Sequence, residues 1–244
     1  MENLLVHDKQ IVTPGEVLTT DVQSFRPGRG TIRDKDVIKS VFVGLVQIRS
    51  RFINVVPLNG VYLPTVGDKV IGKIYEKTPI KWLVDINSNY VGVLRPQNAI
   101  DREFKRQGRH RSQEEQEAEE MSQFQVGDVI VAKIISFSRT TDPQITTLGK
   151  DLGKLTNGTL MEIPAPKIPR VIGRKGSMIR TLIEETRCRI TVAQNGRIWL
   201  AGQPDNVALA KFIINKINEE AHTSGLTDRV KEYLIEEKRK RGLN

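Results

Sequence analysis

The N-terminal part of the chain alternates short apolar segments with turn residues. Residues 41–46 (Val-Phe-Val-Gly-Leu-Val) predict a mainly apolar strand, and residues 52–58 predict another that ends at Asn59-Gly60, a strong hairpin-turn signal. Pro57 predicts that the second strand lies at a sheet edge, because proline has no N–H to donate. No helical periodicity appears here, so the pattern predicts a small all-β domain over residues 1–62.

The next segment predicts a β-barrel. A Val-Gly-Asp turn followed by an apolar strand occurs at residues 66–74 and again at 126–134, and the sequences after the two copies differ. We interpret this as one turn-and-strand unit used twice in one barrel rather than as a tandem repeat. The strands are predicted at about 69–76, 80–86, 90–94, 129–138 and 143–148. Five short strands indicate an OB-type barrel, a common nucleic-acid-binding fold, over residues 63–150.

The predicted second strand carries a tryptophan with two interpretations. Its apolar residues alternate with Lys81, Leu83 and Asp85, which predicts one buried face; they are Ile80, Trp82, Val84 and Ile86. This alternation favours a core role for Trp82, and a base-stacking role is the alternative.

A long insertion, residues 95–125, separates the predicted third and fourth strands. Its first half is basic, with Arg95, Arg102, Lys105, Arg106, Arg109 and Arg111. Its second half is acidic, with Glu114, Glu115, Glu117, Glu119 and Glu120. One hypothesis is a solvated, partly helical or mobile loop. The other is that the basic half follows phosphates while the acidic half keeps the nucleic acid to one side.

Residues 151–224 contain two glycines three positions apart, Gly173 and Gly176, with cations between and before them. Glycine lets the backbone turn sharply and approach a ligand closely. The cations are Arg170, Arg174 and Lys175, and Ser177 is a plausible N-cap of the helix that follows. The free amides of that helix start would face the same side. The arrangement suits a single-stranded sugar-phosphate backbone and resembles the GXXG loop of a KH domain.

The elements around this loop support the resemblance. The predicted order is strand, short helix, loop, helix, strand, strand, long helix, which is the order of a type I KH domain. Apolar residues share one face of the helix after the loop at Met178, Ile179, Leu182 and Ile183. The long helix begins at Pro204 and has a buried stripe of Val207, Ala210, Ile214 and Ile217. Residues 225–244 predict a largely solvated helix with a basic end and a partial stripe of Val230, Tyr233 and Leu234, and a dedicated RNA contact is the alternative.

Composition and charge limit the partners and cofactors that we expect for the protein. The 244 residues carry a formal net charge of +9, which favours nucleic acid or an anionic membrane as partner. No apolar run is long enough to span a membrane and no secretory signal is visible, so we expect no membrane partner. The single cysteine, Cys188, fits the reducing cytoplasm. The cysteine and three histidines show no zinc-ligand spacing, and we expect no metal and no cofactor.

The whole order, a β-domain followed by an OB barrel and a KH domain, resembles the RNA-binding cap subunits of the archaeal RNA exosome. The similar segments include residues 13–16, 28–31, 62–68 and 82–86 as well as the GXXG loop. The absence of paired cysteines matches the S1-plus-KH kind of cap subunit rather than its zinc-ribbon relative. The fold class is therefore multidomain and mainly β, with an S1-type OB barrel and a C-terminal α/β domain.

The resemblance implies a non-catalytic subunit that binds single-stranded RNA. In that family three copies, alone or mixed with the zinc-ribbon subunit, lie on a hexameric ring of RNase PH-like subunits. The N-terminal domain attaches to the ring, and RNA enters 3′ end first for degradation. On the barrel, the candidate RNA-binding residues are Lys77, Lys81, Trp82 and the basic residues of the insertion. Many S1-type domains have more aromatics on the second strand, so we expect cations to dominate binding, with steep salt dependence.

Three alternatives compete. A nuclease needs clustered carboxylates or a histidine acid–base pair, whereas Asp68 and Asp128 each follow a glycine at a strand start, where a turn role is commoner. A fragment of a polynucleotide phosphorylase would carry KH before OB, the reverse of this order. A free-standing or ribosome-associated RNA-binding protein would not need the N-terminal domain as an assembly surface.

Overall fold

The computed structural model describes residues 3–58, 60–99, 122–220 and 225–241. The chain divides into two compact units, Met1–Gly60 and Val61–Asn244. The second unit contains the barrel and all of the long helices in the described residues. The mainly β fold with a C-terminal α/β part confirms the predicted fold class.

The N-terminal unit consists of two small sheets around one core. Its strands are β1 Ile11–Val12, β2 Val17–Thr19, β3 Arg26–Pro27, β4 Thr31–Asp34, β5 Val37–Ser40, β6 Gly44–Arg49 and β7 Phe52–Pro57. They form the sheets β1-β6-β7-β3 and β2-β5-β4. The core contains one or two side chains from most strands, among them Val12, Leu18, Ile38, Val46, Ile53 and Val55.

Two predictions for this unit were wrong. The strand predicted from residue 41 begins only at Gly44, and Val41, Phe42 and Val43 form an exposed bend before it. The strand β7 is not an edge strand, because β6 pairs with one side and β3 pairs with the other at Phe52 and Ile53. Pro57 lies past the β3 pairing, at the strand end, where a missing N–H is tolerated. Asn59 of the predicted turn lies outside the described residues.

The barrel strands are β8 Lys69–Thr78, β9 Lys81–Asp85, β10 Val91–Leu94, β11 Val129–Ser138 and β12 Thr141–Thr146. They confirm the five predicted strands within a few residues. A short strand, β13 Gly153–Leu155, adds to β11 in the order β12-β10-β9-β8-β11-β13, and a further β11–β12 pairing closes the barrel. Trp82, Val84 and Ile86 are buried as predicted, whereas Ile80 lies in the turn before β9 and is 72% exposed.

The two copies of the Val-Gly-Asp turn bond to each other's strands. The amide of Gly67 donates to the carbonyl of Ile134 and the amide of Gly127 donates to that of Ile74, each at 2.8 Å. In return, the amides of Ile134 and Ile74 donate to the carbonyls of Asp68 and Asp128 at 2.9 Å. Each copy therefore completes the hydrogen bonding of the other, which confirms that both belong to one barrel.

The C-terminal part of this unit is a sheet covered by helices. The strands β14 Thr159–Glu162, β15 Arg189–Val192 and β16 Arg197–Ala201 pair in the order β14-β16-β15. The helices are α1 Ile168–Ile172, α2 Ser177–Thr186, α3 Pro204–Glu219 and α4 Leu226–Arg241. The predicted element order is confirmed, and so is the stripe of α3. On α2 the stripe is narrower than predicted, since Ile183 is 40% exposed.

The terminal helix α4 is more than a solvated tail. Leu226, Val230 and Leu234 are buried in the same core as α3. The ammonium group of Lys238 lies 2.6 Å from the carboxylate of Glu185 on α2. The prediction of a largely solvated helix was wrong for this face. The residue spacing predicted which side chains form the apolar stripe, but it did not predict the core on which they pack.

Candidate nucleic-acid interface

The GXXG loop joins α1 to α2 without a regular turn type. Gly173 ends α1 with φ 74° and ψ 175°, and residues 174–176 form a short 3₁₀ turn. Within that turn Lys175 adopts the left-handed region at φ 50°. Three of the four loop residues, Gly173, Lys175 and Gly176, thus have positive φ, and the side chains of Arg174 and Lys175 are exposed at the junction of the two helices.

The two glycines are needed for different reasons. A Cβ on Gly173 would lie 2.7 Å from both the backbone N and the Cβ of Met178, so the start of α2 leaves no room for a side chain. At Gly176 the nearest atom would be 3.7 Å away on Ile179, but φ is +77°. Gly173 therefore allows close packing of the helix against the loop, and Gly176 allows a left-handed backbone in open space.

The cationic side chains of the loop are available to a ligand. Arg170, Arg174 and Lys175 are exposed, and in the described part of the chain none of them has an ion-pair or hydrogen-bond partner through its side chain. Ser177 is also exposed, but the prediction that it caps the helix was wrong. Gly176 occupies the N-cap position, and Ser177 is the first helical residue. The loop therefore combines unpaired positive charge with the N-terminus of a ten-residue helix.

Strand register brings three predicted barrel residues to one end of the sheet. Lys77 on β8 is opposite Trp82, and Lys81 on β9 is opposite Thr78. On β10, Leu94 is opposite Trp82, so Arg95 follows beside Lys81. Lys77 and Lys81 are half-buried and Arg95 is exposed. The remaining predicted cations, Arg102, Lys105, Arg106, Arg109 and Arg111, lie outside the described residues.

Trp82 is a core residue and not a stacking surface. Its side chain is 0% exposed, its ring meets that of Phe124 edge-on at 5.5 Å, and its Nε1 donates to the Phe124 carbonyl at 3.2 Å. The alternation along the strand indicated this orientation. Its inclusion among the RNA-binding candidates was wrong, because a buried ring cannot stack on a base.

One exposed aromatic residue, Tyr75, lies on the neighbouring strand β8 and was not among the predicted RNA-binding residues. Tyr75 is 45% exposed and occupies an irregular position on β8, where the pairing with β9 shifts between Ile74 and Glu76. Partial burial is the main cause that raises the pKa of its hydroxyl, and the negative charges of Glu76, Asp142 and Asp85 raise it further. The signal was present in the sequence, because Val70, Gly72 and Ile74 point inward and their alternation turns Tyr75 outward.

The polar contacts that fix the KH sheet on the barrel were not predicted. The side chain of Arg197 is only 7% exposed and donates to the carboxylates of Asp85 at 2.6 Å and Glu162 at 2.8 Å. Its Nη1 also donates to the Asp85 carbonyl at 2.6 Å and to the Ile71 carbonyl at 3.4 Å. Burial raises the pKa of Asp85, but hydrogen bonds and positive charge from Arg197 outweigh it, so the net pKa is lowered.

Asn195 adds a second set of contacts at the same turn. Its Nδ2 donates to the carbonyls of Ile71 and Ile86 at 2.8 Å, and its Oδ1 accepts from the Ile71 amide at 3.2 Å. Trp199 and Ala193 pack beside it on Ile71 and Val131 of the barrel. The barrel and the KH sheet therefore share an apolar core. That core and the hydrogen bonds of Asn195 and Arg197 hold the surfaces of the two domains in a fixed relation.

The described residues contain no group of three or more histidine, cysteine or acidic side chains placed to hold a metal ion. Among the helices that the structure describes, none is long and apolar enough to cross a membrane.

Comparison with protein families matches both predicted domains. The family model for the KH domain matches residues 158–216. The family model described as "RRP4, S1 domain" matches residues 61–136.

Relatives match nearly the whole chain. The exosome complex component Rrp4 of Methanothermobacter thermautotrophicus is 41% identical over 231 residues, covering 95% of this chain and 70% of that protein. The protein of the same name from Nitrosopumilus maritimus is 39% identical, covering 93% of this chain and 96% of its own. A crystal structure of an exosome complex RNA-binding protein is 42% identical with a TM-score of 0.62, covering 75% of this chain and 99% of that one. The chain belongs to the Rrp4 family of exosome complex components.

Proposed function

We propose that this protein is a non-catalytic cap subunit that binds single-stranded RNA and passes its 3′ end to a ring of RNase PH-like subunits. The observation that carries the proposal is the GXXG loop, whose three exposed cations have no partner in the described part of the chain. Family membership supplies the setting, because the relatives are named as components of the exosome complex.

At the loop, the backbone of the RNA lies against Gly173 and Gly176. Arg170, Arg174 and Lys175 neutralise its phosphates, and the hydroxyl of Ser177 donates a hydrogen bond at the start of α2. A KH loop of this kind binds about four nucleotides. Binding depends on charge and backbone shape, so it has little sequence preference and falls steeply with salt.

On the barrel, Lys77, Lys81 and Arg95 form a second phosphate-binding group at one end of β8, β9 and β10. We assign further phosphate contacts to the basic residues of the insertion, Arg102 to Arg111. Tyr75 takes the stacking role that Trp82 cannot perform. Base stacking on an aromatic side chain contributes about 1–3 kcal/mol per base, so one exposed tyrosine adds affinity without base-specific hydrogen bonds.

The N-terminal unit provides the surface that binds the ring. Val41, Phe42 and Val43 are exposed in one bend, and the amide of Leu58 donates to the carbonyl of Val43 at 3.1 Å, which places exposed Leu58 beside them. Contiguous exposed apolar side chains of this kind mark protein-binding surfaces. Three copies on a ring, alone or mixed with the zinc-ribbon subunit, would each use this surface.

The proposal assigns no catalysis to the chain. The aspartates considered for a nuclease have structural contacts: Asp68 accepts a hydrogen bond from the Tyr62 hydroxyl at 2.6 Å, and Asp128 accepts from Lys154 at 2.8 Å. A divalent-metal titration of the pure protein with labelled RNA tests this directly. Cleavage by the subunit alone would contradict the proposal.

The central experiment is Gly176→Asp, measured by fluorescence anisotropy with a labelled RNA of about 12 nucleotides, roughly three times the length that a KH loop binds. The variant puts a negative charge beside the phosphates, and we expect affinity to fall at least about tenfold. Gly15→Asp is the matched control, since Gly15 also has positive φ, at +86°, and a Cβ there would have nothing within 4 Å. Equal affinities of the two variants would show that the loop is not the main contact.

A second experiment separates this proposal from a free-standing RNA-binding protein. Phe42→Glu should abolish co-purification of ring subunits while leaving RNA affinity unchanged, because it places a charge in the apolar surface. Ile32→Glu, at another exposed apolar position of the same unit, serves as control. If Phe42→Glu leaves every complex intact, the surface is not the ring-binding one; if no ring subunits co-purify with the unaltered protein, the free-standing alternative is favoured.

A further inference from the structure

A cleft of about 330 Å³ lies between the barrel and the KH sheet. On the barrel side it is lined by Lys69 and Val131 and by residues 151–155, which include β13. On the KH side it is lined by all four residues of β15. Neither the GXXG loop nor the cations at the end of β8, β9 and β10 contribute to it.

Both walls of the cleft include a strand with an unpaired edge. Within the described residues, β13 pairs only with β11, and β15 pairs only with β16. Each strand therefore has backbone N–H and C=O groups on its other edge that are free for a ligand. The shared core and the contacts of Asn195 and Arg197 hold these walls in place, so the cleft is preformed.

The cleft has a net positive charge, and two of its cations form no ion pair within the described residues. In the described part of the chain, neither Lys69 nor Arg189 has an ion-pair or hydrogen-bond partner through its side chain. Lys133 is directly opposite Lys69 in the β8–β11 pairing, an arrangement of like charges that destabilises a sheet. Lys154 is neutralised by Asp128 at 2.8 Å, and Asp151 is the one acidic residue in the lining. An anion would relieve the repulsion.

We infer that this cleft binds phosphates of the same RNA strand, beyond the nucleotides held by the GXXG loop. Lys69 and Arg189 contact the phosphates, and Lys133 adds long-range attraction. The ten residues of α2 span about 15 Å between the loop and Arg189, so a strand longer than the loop itself binds reaches the cleft. The inference rests on the proposed function, because it assumes that RNA occupies the loop.

The test uses the full chain, oligouridylates of about 4 and about 12 nucleotides, and the double variant Lys69→Gln/Arg189→Gln. We expect the variant to bind the longer RNA about tenfold more weakly and the shorter one unchanged. Loss of two single-strand phosphate contacts should reduce the slope of log K against log salt by about 1.4. Lys211→Gln/Lys231→Gln is the control, because α3 and α4 cover the sheet face opposite the barrel. Thermal unfolding establishes that each variant is folded.

Asp151→Asn gives an independent prediction of opposite sign. The backbone at Asp151 has φ 60°, which asparagine tolerates, and removal of the carboxylate should tighten binding of the longer RNA about twofold to threefold. A double variant that matches the control, or an Asp151→Asn variant with unchanged affinity, would overturn the inference. Gly176→Asp separates the two proposals: if it weakens both oligonucleotides while the cleft variants have no effect, the loop function stands and the cleft inference fails.

Discussion

Two glycine-containing turns of the KH domain carry similar residues and use them in opposite ways. In the GXXG loop, Gly176 has φ +77° and follows Arg174 and Lys175, which are exposed and unpaired within the described residues. In the turn between β15 and β16, Gly196 has φ +85° and precedes Arg197, which is buried and pairs with two carboxylates and two carbonyls. One arginine is free to bind a ligand, and the other is fully occupied within the protein.

The difference shows that the partners of a cation, more than its sequence context, decide what it does. A guanidinium between two carboxylates has little remaining attraction for phosphate and stabilises the contact between two domains. An unpaired one contributes little to folding and retains its full charge for binding. Substitutions in the two turns should therefore separate stability from RNA affinity.

The largest effect is expected for Arg197→Met, which keeps the aliphatic volume and removes every polar contact. The buried carbonyls of Asp85 and Ile71 lose a charged donor, so we expect the free energy of unfolding to fall by about 3 kcal/mol. Urea unfolding followed by tryptophan fluorescence measures it, since both tryptophans, Trp82 and Trp199, lie in this unit. Arg174→Met is the control and should leave stability unchanged; equal losses in the two variants would refute the comparison.

Asn195→Ala should have the next largest effect. It leaves the Ile86 carbonyl and the Ile71 amide without their partner and the Ile71 carbonyl with the 3.4 Å bond from Arg197, at a cost of about 2 kcal/mol. The same fluorescence measurement applies. Gln194→Ala is the control, because only the backbone amide of Gln194 contacts the barrel, at the carbonyl of Lys69. A stable Asn195→Ala protein would mean that Arg197 and the apolar contacts hold the two domains together without Asn195.

In the loop, Arg174→Gln/Lys175→Gln should change binding and not stability. We expect about tenfold weaker RNA binding, and a shallower salt dependence by about 1.4 in the slope for two lost contacts. Anisotropy titrations at several salt concentrations measure both quantities. Unfolding of the variant should match that of the unaltered protein, and a stability loss near that of Arg197→Met would contradict the assignment of these cations to binding.

The smallest expected effect is on the stability of the protein at acidic pH. The lowered pKa of Asp85 stabilises the fold above the ordinary aspartate value of about 3.9, and this contribution is lost as pH falls through the folded value. Asp85 is half-exposed, so the contribution is on the order of 1 kcal/mol or less. In Asp85→Asn the loss of stability between about pH 6 and about pH 3 should be smaller than in the unaltered protein. An equal loss in the two proteins would contradict the role assigned to Asp85.

Much of the fold followed from sequence pattern. The strands of the barrel and the order of elements around the GXXG loop were predicted because periodicity reports which side of each element is buried. Periodicity does not report where an element begins. Ile80 continued the alternation of Trp82 and Val84, yet it lies in a turn, and residues 41–43 have the composition of a strand without its pairing.

The candidate site was predicted less completely, for a physical reason. The glycines and cations of the loop form one local motif, so their roles can be inferred together. Arg197 reaches Asp85 over 112 positions of sequence and Asn195 reaches Ile71 over 124, and no local pattern contains such a pair. The cleft beside β15 was invisible for the same reason, because Lys69 and Arg189 meet only when the two domains pack.

The reciprocal bonds between the two Val-Gly-Asp turns have a consequence for how this barrel tolerates change in length. Each half of the barrel supplies the hydrogen-bond partners that close the other half, so neither is a complete sheet alone. In the segment that joins the halves, these bonds involve its C-terminal end, at Gly127 and Asp128. Doubling the length of a flexible connection costs only about 0.6 kcal/mol in closure entropy. The junction between β10 and β11 is therefore a position where sequence can be inserted or exchanged, including a foreign domain, while the barrel keeps its fold.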